Sequence, residues 1–258
     1  MPYAKRPNAT LYYEVHGDGP ALVFAHGAGG NTLIWWQQVP HFARGRRVVT
    51  FDHRGFGRST CAPADFHARE FAGDLRAILD AAGIERAALV CQSMGGWTGL
   101  RSALEFPERV ACLVLSGTPG GVFTPKVFEA FARIGRIAAG EGIRGAPALA
   151  PDFPAREPAL AHLYDQISAR NPGLPPAALA TLAQARVEPA ELAGYAIPTL
   201  MISGAHDQLF PPEVLKEAAA QIPGCRLASV SSSGHSPYFE DAPRFNRIVA
   251  EFLAEVGG

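Results

Sequence analysis

The run ALVCQSMGG at residues 88–96 limits the possible folds of this chain more than any other feature. An apolar stretch typical of a buried strand ends at Ser93, Gly95 and Gly96 follow, and a helical pattern begins at Trp97. A strand, a sharp turn and a helix in this order hold a serine hydroxyl at the end of a sheet. A plain strand followed by a glycine-rich turn is the alternative interpretation of the same run.

The turn at Ser93 needs small neighbours, because side chains two positions before and after it would collide in so tight a bend. Gly95 supplies the small residue on the C-terminal side. Cys91 stands on the N-terminal side, where the usual pattern G-x-S-x-G has a glycine. Cysteine is also small, so the run still favours a serine nucleophile, with a departure from the pattern at Cys91.

A second strand-like run leads into a loop of small residues at 22–30 (LVFAHGAGG). Small residues let backbone N–H groups face a ligand without obstruction by side chains. The N–H groups of Ala28 and Met94 would together form a two-donor pocket for a developing oxyanion. An ordinary glycine-rich connection is the alternative. A phosphate-binding loop is disfavoured, because the spacing is not G-x-G-x-x-G and no lysine follows.

Two later strand-like runs each lead to a polar residue of a catalytic type. Residues 199–212 (TLMISGAHDQLFPP) carry Asp207 before a proline that opens a helix, and residues 227–237 (LASVSSSGHSP) carry His235. The order Ser93, Asp207, His235 is expected when the three side chains follow successive strands of one sheet. A serine hydroxyl is too weakly acidic to attack alone, so a histidine must take its proton and a buried carboxylate must orient the imidazole.

With a fourth motif, the chain resembles the α/β-hydrolase superfamily. Residues 50–59 (TFDHRGFGRS) look like that family's D-x-R-G-x-G-x-S loop after an early strand. The resemblance extends from about residue 11 to residue 256, and four motifs in the right order are far more specific than any one of them. It implies an α/β-hydrolase fold with a mainly parallel, eight-stranded-type sheet, helices on both faces and an inserted helical cap.

The resemblance also implies a role for individual residues. His26 would be structural, although it lies beside the predicted oxyanion pocket. The implied catalytic residues are Ser93 as nucleophile, Asp207 as acid and His235 as base, with oxyanion donors at the backbone N–H groups of Ala28 and Met94.

Strand-like and helix-like runs alternate along most of the chain, which favours a parallel sheet covered by helices on both faces. Strands are predicted at 11–15, 21–25, 47–51, 87–91, 110–116, 199–203 and 226–230, and helices at 70–82, 97–106, 213–222 and 243–256. Residues 119–195 break the alternation and contain only helical pieces, at 126–139, 159–170 and 176–185. We therefore predict a core of residues 1–118 and 196–258 and a helical cap of residues 119–195 that shields the site from water.

Aromatic side chains in and near the predicted cap are candidates for the wall of an apolar substrate pocket. Packing of the cap onto the core is the alternative use for each of them. The predicted pocket residues are Trp35, Phe123, Phe128, Phe210 and Tyr238.

Composition limits the partners and the compartment. The chain has 258 residues, 48% of them hydrophobic, and a net charge of −1, which gives no reason to expect nucleic acid or a membrane surface as a partner. No apolar run reaches membrane-spanning length, and none after the N-terminus resembles a secretion signal. The scattered cysteines contain no C-x-x-C pair, so we expect free thiols, no metal site and a cytoplasmic location. A serine triad needs no cofactor.

These observations together predict an enzyme that acts on ester bonds of small-molecule substrates. We expect carboxylic esters or lactones of small to medium size with fairly apolar groups, cleaved through an acyl-enzyme on Ser93, as in the small carboxylesterases and enol-lactonases of the superfamily. One alternative is carbon–carbon bond hydrolysis of a vinylogous diketone, as in meta-cleavage product hydrolases, for which an arginine such as Arg101 would be informative. The other alternative is a small-molecule receptor built on a hydrolase scaffold.

Overall fold

Nine strands form one sheet in the computed structural model, which describes residues 2–140, 146–173 and 176–257. The strands are β1 Tyr3–Arg6, β2 Ala9–His16, β3 Ala21–Ala25, β4 Arg47–Phe51, β5 Thr60–Cys61, β6 Ala87–Gln92, β7 Val110–Ser116, β8 Thr199–Gly204 and β9 Arg226–Val230. Their order is β1-β2-β4-β3-β6-β7-β8-β9, with β5 paired to β2 beside that path. Pairing is parallel from β4 to β9 and antiparallel wherever β2 takes part.

All seven predicted strands are present, and the mainly parallel sheet is confirmed. The eight strands along the hydrogen-bonded path match the predicted type of sheet, and β5 adds a ninth. The sequence reasoning missed β1 and β5. The first carries Lys5 and Arg6 and is partly exposed, while β5 has only two residues, so neither shows the continuous apolar pattern of a buried strand.

Helices cover both faces of the sheet. Along the described residues they are α1 Val39–Phe42, α2 Phe71–Ala81, α3 Gly95–Glu105, α4 Pro125–Gly140, α5 Phe153–Arg156, α6 Pro158–Ser168, α7 Pro176–Gln184, α8 Pro212–Ala219, α9 Pro237–Glu240 and α10 Ala242–Val256. Gly83 follows the end of α2 with a φ of 63°, the left-handed conformation in which many helices end at a glycine.

Successive residues of each central strand point into different halves of the core. In β3, Val23 packs in one apolar cluster with side chains of α2, α3 and α8, whereas its neighbours Leu22 and Phe24 pack in another with side chains of α1 and α10. Side chains alternate across a strand, so a strand covered on both faces is apolar at every position. This double coverage explains the unbroken apolar runs in the sequence.

The described part of the segment between β7 and β8 is mostly helical, as the break in the alternation of strands and helices predicted. Its described residues contain α4, α5, α6 and α7, together with one isolated bridge between Val122 and Val187. The segment lies between the sixth and seventh strands of the eight-stranded path. The division into a core and a cap of residues 119–195 stays a prediction, because sequence position and helix content do not by themselves define a separate domain.

The turn from β6 into α3 depends on two glycines. A Cβ on Gly95 would lie 2.4 Å from the carbonyl oxygen of Ala25 in β3, so the start of α3 approaches that strand more closely than a side chain allows. A Cβ on Gly99 would lie 2.6 Å from the Cys91 sulfur. The glycine one turn into the helix thus makes room for the cysteine, and this contact accommodates the departure from the usual motif.

We expect Gly99→Ala to destabilise the fold by about 1–2 kcal/mol, because overpacking at Cys91 and Leu113 outweighs the gain in helix propensity. Adding Cys91→Gly should recover part of that loss. Urea unfolding measures both effects. Gly135→Ala in α4 is the matched control, since its Cβ would meet nothing within 4 Å in the described part of the chain, and it should be neutral or stabilising. Equal effects of the two alanine substitutions would contradict this account of Cys91.

Candidate active site

Three strands from a block of four parallel neighbours bring the predicted catalytic side chains to one edge of the sheet. Ser93 follows β6, Asp207 lies in the loop after β8, and His235 lies in the loop after β9. Strands β6, β7, β8 and β9 are neighbours and all parallel, so their carboxyl ends meet at the same edge. In open α/β sheets, ligands bind at this edge.

The backbone at Ser93 is strained. Its φ of 48° makes it the single non-glycine residue with a positive φ among the described residues. The left-handed region costs a residue with a Cβ of order 1 kcal/mol, so it persists only where surrounding contacts enforce it. The Ser93 N–H donates to the Ser116 carbonyl at 3.0 Å, and its carbonyl accepts from Gly96 N at 2.9 Å. Ser93 is partly exposed between buried neighbours, so its side chain is available to a ligand.

Asp207 and His235 form a buried hydrogen-bonded pair. The carboxylate Oδ2 lies 2.9 Å from Nδ1 of the imidazole. The other oxygen accepts from the N–H groups of Leu209 at 2.8 Å and Phe210 at 2.9 Å, which holds the carboxylate in its loop. An Nδ1–H that donates to a carboxylate leaves Nε2 as the acceptor of the neutral ring.

The acceptor nitrogen of His235 is buried and makes no hydrogen bond with any residue that the structure describes. The loop of His235 nevertheless contacts the strand that ends at Ser93, since the Gln92 side chain donates to the His235 carbonyl at 3.3 Å. Hydrogen bonds between a base and its nucleophile are often long in unliganded enzymes and tighten with substrate. The pairing of Ser93 with His235 therefore stays a prediction.

The loop after β3 approaches Ser93 closely. A Cβ on Gly27 would lie 2.8 Å from the Ser93 Cβ and 2.0 Å from Gln92 Oε1, so only glycine fits there. Ala28 is the next residue of this loop, and Met94 stands at the start of α3. The structure thus brings the chain segments of both predicted oxyanion donors to the serine. Their role in binding an oxyanion stays a prediction.

His26 supports this loop and has no free nitrogen to act as a base. Its Nε2 accepts from the backbone N–H of His53 at 2.9 Å, and its Nδ1 donates to the Gly27 carbonyl at 2.8 Å. Burial lowers the pKa of both the His26 and the His53 imidazole, so both rings are neutral. The structural role that the resemblance implies for His26 agrees with these contacts.

The loop of the D-x-R-G-x-G-x-S motif is fastened by buried charges. Asp52 accepts from Thr32 N at 2.6 Å and from Arg58 N at 2.7 Å, which ties this loop to the end of the loop after β3. Arg54 is fully buried and forms a two-pronged ion pair with Asp74, at 2.6 and 2.7 Å. Such planar pairs fix geometry as well as neutralise charge.

Asn171, which sequence reasoning did not single out, joins the helical segment to both of these loops. Its amide donates to the Gly29 carbonyl at 2.6 Å, and its carbonyl oxygen accepts from Gly57 N at 3.0 Å. Asn31 completes the junction by donating to the Ile167 carbonyl at 2.9 Å. These partners are more than 100 positions apart in sequence, so no local pattern indicates the contact.

Three of the predicted pocket residues belong to an aromatic series that begins at His235. The Phe210 ring lies 5.9 Å from the His235 ring, and Phe131 lies 5.7 Å from Phe210. Phe123 is 4.9 Å from Phe131 and also 4.9 Å from Phe128, which is half exposed at the outer end. The series connects the histidine to the surface of α4.

The other two predicted pocket residues have a different environment. Trp35 and Tyr238 pack on each other at 4.6 Å between ring centres, and Trp35 also contacts Phe24. Both are almost completely buried in the core cluster that includes α10. These contacts explain both rings as core residues and give no support to the prediction that they line a pocket.

The side chain of Arg101 on α3 makes its polar contacts at the protein surface. It forms an ion pair with Glu191 and donates to the Arg186 carbonyl at 3.0 Å.

Among the described residues, no group of histidine, cysteine, aspartate and glutamate side chains is arranged to hold a metal ion. In the same residues, no helix combines the length and apolar character needed to span a membrane.

Comparison with known proteins identifies the family. The profile of the α/β-hydrolase fold matches residues 20–242. A 2-hydroxymuconate semialdehyde hydrolase of Pseudomonas sp. (strain CF600) is 34% identical, with 93% of this chain and 88% of the relative covered. A protein of Azorhizobium caulinodans named as a candidate carbamate hydrolase, RutD, is 31% identical over 99% of both chains. The enol-lactonase structure from Burkholderia xenovorans LB400 superposes with a TM-score of 0.84 at 26% identity, covering 98% of this chain and 100% of that one. The chain therefore belongs to the α/β-hydrolase family and is a hydrolase.

Proposed function

We propose that the protein is a serine hydrolase that cleaves carboxylic esters or lactones through an acyl-enzyme on Ser93. The observation that carries the proposal is the buried hydrogen bond of 2.9 Å between Asp207 and His235, at the same sheet edge as the strained turn of Ser93. A carboxylate that orients an imidazole at the same sheet edge as a serine hydroxyl is the arrangement that nucleophilic acyl transfer requires.

In the proposed reaction, Ser93 Oγ attacks the carbonyl carbon while Nε2 of His235 takes its proton. The π electron pair of the carbonyl moves to its oxygen, where the N–H groups of Ala28 and Met94 stabilise the negative charge. When the tetrahedral intermediate collapses, the bond to the alcohol oxygen breaks and the imidazolium returns the proton to it. Asp207 stabilises the imidazolium at both stages. Water then repeats the sequence, which releases the carboxylic acid and restores Ser93.

The side chains near the proposed base favour a neutral, apolar acyl group. Phe210 contacts the His235 ring, and Phe131 and Phe123 continue this apolar surface into the helical segment. Aromatic rings hold apolar groups by removing their surface from water. The enol-lactonase neighbour makes lactones as suitable a substrate class as open-chain esters.

Carbon–carbon bond hydrolysis is the second candidate, because a relative at 34% identity is named as a 2-hydroxymuconate semialdehyde hydrolase. The ion pair of Arg101 with Glu191 favours esters over this alternative, since it already occupies the guanidinium that would otherwise be available to an anionic substrate. The name of the 31% identical relative adds carbamates to the substrates that deserve a test.

We propose the cytoplasm as the compartment and a small-molecule substrate as the partner. The four cysteines are free thiols, which suits a reducing environment.

The first test is hydrolysis of p-nitrophenyl esters of increasing acyl length, with a lactone, a carbamate and a vinylogous diketone in the same panel. We expect turnover of the esters or lactones and a loss of roughly 10⁴-fold or more in kcat for Ser93→Ala. Ser102→Ala is the matched control. It removes a buried hydroxyl on α3 that has no hydrogen bond within the described residues, so activity should persist. Turnover of the diketone alone would overturn the ester proposal in favour of carbon–carbon hydrolysis.

The second test concerns the acyl pocket. Phe131→Ala should raise kcat/KM for octanoate relative to butyrate by roughly tenfold, because it opens space beside Phe210 for additional methylenes. Phe128→Ala removes the same ring at the half-exposed outer end and should leave that ratio unchanged. Equal ratios in the two variants would show that the aromatic series does not hold the acyl chain.

A further inference from the structure

Glu240 is a buried carboxylate five positions after His235, at the end of α9. Its Oε1 accepts from the backbone N–H of Gly234 at 2.9 Å and of Ser236 at 3.2 Å. Its Oε2 accepts from the N–H of Ala150 at 2.8 Å. The carboxylate therefore binds the two N–H groups on either side of the histidine and one N–H from the segment that precedes α5.

Among the described residues, no lysine or arginine forms an ion pair with Glu240, and its oxygens are held by backbone N–H groups. Burial raises the pKa of the Glu240 carboxyl, and the three backbone N–H groups together with the nearby His235 act in the opposite direction. All three hydrogen-bond partners of its oxygens are donors, so the ionised form satisfies all three at once. A buried polar group whose donors all lie on the main chain specifies the path of that main chain.

Close backbone contacts also restrict the position of the loop that carries His235. A Cβ on Gly234 would lie 2.4 Å from Ala150 N, so this glycine is pressed against the same segment that Glu240 binds. A Cβ on Gly117 would lie 2.9 Å from the His235 carbonyl oxygen. Asp207 holds the ring at Nδ1. Asp207 thus fixes the imidazole while Glu240 fixes the backbone that carries it.

We propose that Glu240 is a positioning residue for the base: its carboxylate clamps the N–H groups of Gly234 and Ser236 and so keeps the His235 ring within reach of Ser93. Glu240 touches no reacting atom, because its oxygens are occupied by backbone donors. The bond to Ala150 extends the same clamp to the segment between β7 and β8. The inference rests on the proposed function, in which His235 activates Ser93.

The test compares Glu240→Gln and Glu240→Ala with the unchanged protein, each as the full chain. Glutamine keeps one acceptor oxygen but sets its NH₂ group against at least one N–H donor, and alanine removes all three bonds. The first readout is the rate at which a fluorophosphonate labels Ser93, followed by intact-protein mass. This reaction needs an activated serine but no substrate turnover. The second is the split between kcat and KM on the best ester.

We expect labelling and kcat to fall about 10- to 100-fold in Glu240→Gln and further in Glu240→Ala, with KM little changed, because a displaced base slows the chemical step more than it weakens binding. The low-field proton signal of the hydrogen bond between Asp207 and His235 should weaken in the same order. Leu79→Ala is the stability control: it truncates a buried side chain of α2, which packs against α3 and β1, and below its unfolding temperature it should label at the normal rate.

The outcomes separate the two proposals. No labelling of the unchanged protein at Ser93 would overturn the proposed function. Normal labelling of the unchanged protein together with equal rates in folded Glu240→Gln would overturn the role of Glu240 and leave the proposed function intact. A lower Tm of Glu240→Gln with a normal labelling rate would also overturn the positioning role, because Glu240 would then contribute only to the stability of the fold.

Discussion

The site depends on one strained turn, the left-handed backbone at Ser93. Such a conformation has to be enforced by its surroundings. Parallel pairing of β6 with β7 places the Ser116 carbonyl where it accepts the Ser93 N–H, and the glycines at 27 and 95 let two neighbouring segments approach without side chains. The order of the strands, the start of α3 and the small residues of the loop after β3 together hold this turn in place. Cys91 fits beside the turn because Gly99 has no side chain to contact its sulfur.

Around this turn, buried side chains accept hydrogen bonds from backbone N–H groups of the loops. His26 accepts from His53 N, Asp52 accepts from Thr32 N, and Glu240 accepts from both neighbours of His235. A buried acceptor that loses its donor leaves an unsatisfied polar group, so each of these bonds resists displacement of its loop. The loops that carry the proposed chemistry are therefore held by polar contacts, whereas the strands that carry the loops are held by apolar packing on both faces.

Much of this architecture was predictable from local patterns. The runs of the seven predicted strands and the glycines after Ser93 are visible within short windows, and the order of Ser93, Asp207 and His235 is visible along the chain. The predictions were weaker where a residue's environment depends on distant segments. Trp35 and Tyr238 were expected at a pocket and lie in the core, while β1 and β5 pair at the sheet's margin without an apolar pattern. Asn171 carried no local signal, because its partners Gly29 and Gly57 lie in distant loops, and the bond from Ala150 to Glu240 likewise joins distant segments.

The sequence by itself determined the class of fold and the identity of the polar residues at the strand ends, since alternation of apolar runs and the spacing of glycines are local consequences of backbone geometry. Only the tertiary structure decided which of those residues meet. The contact of His235 with Asp207, the fit of Gly27 against Ser93, and the hydrogen bond from Ala150 to Glu240 all join segments that are distant in the sequence. Packing in three dimensions sets these distances, and no window of sequence contains both partners.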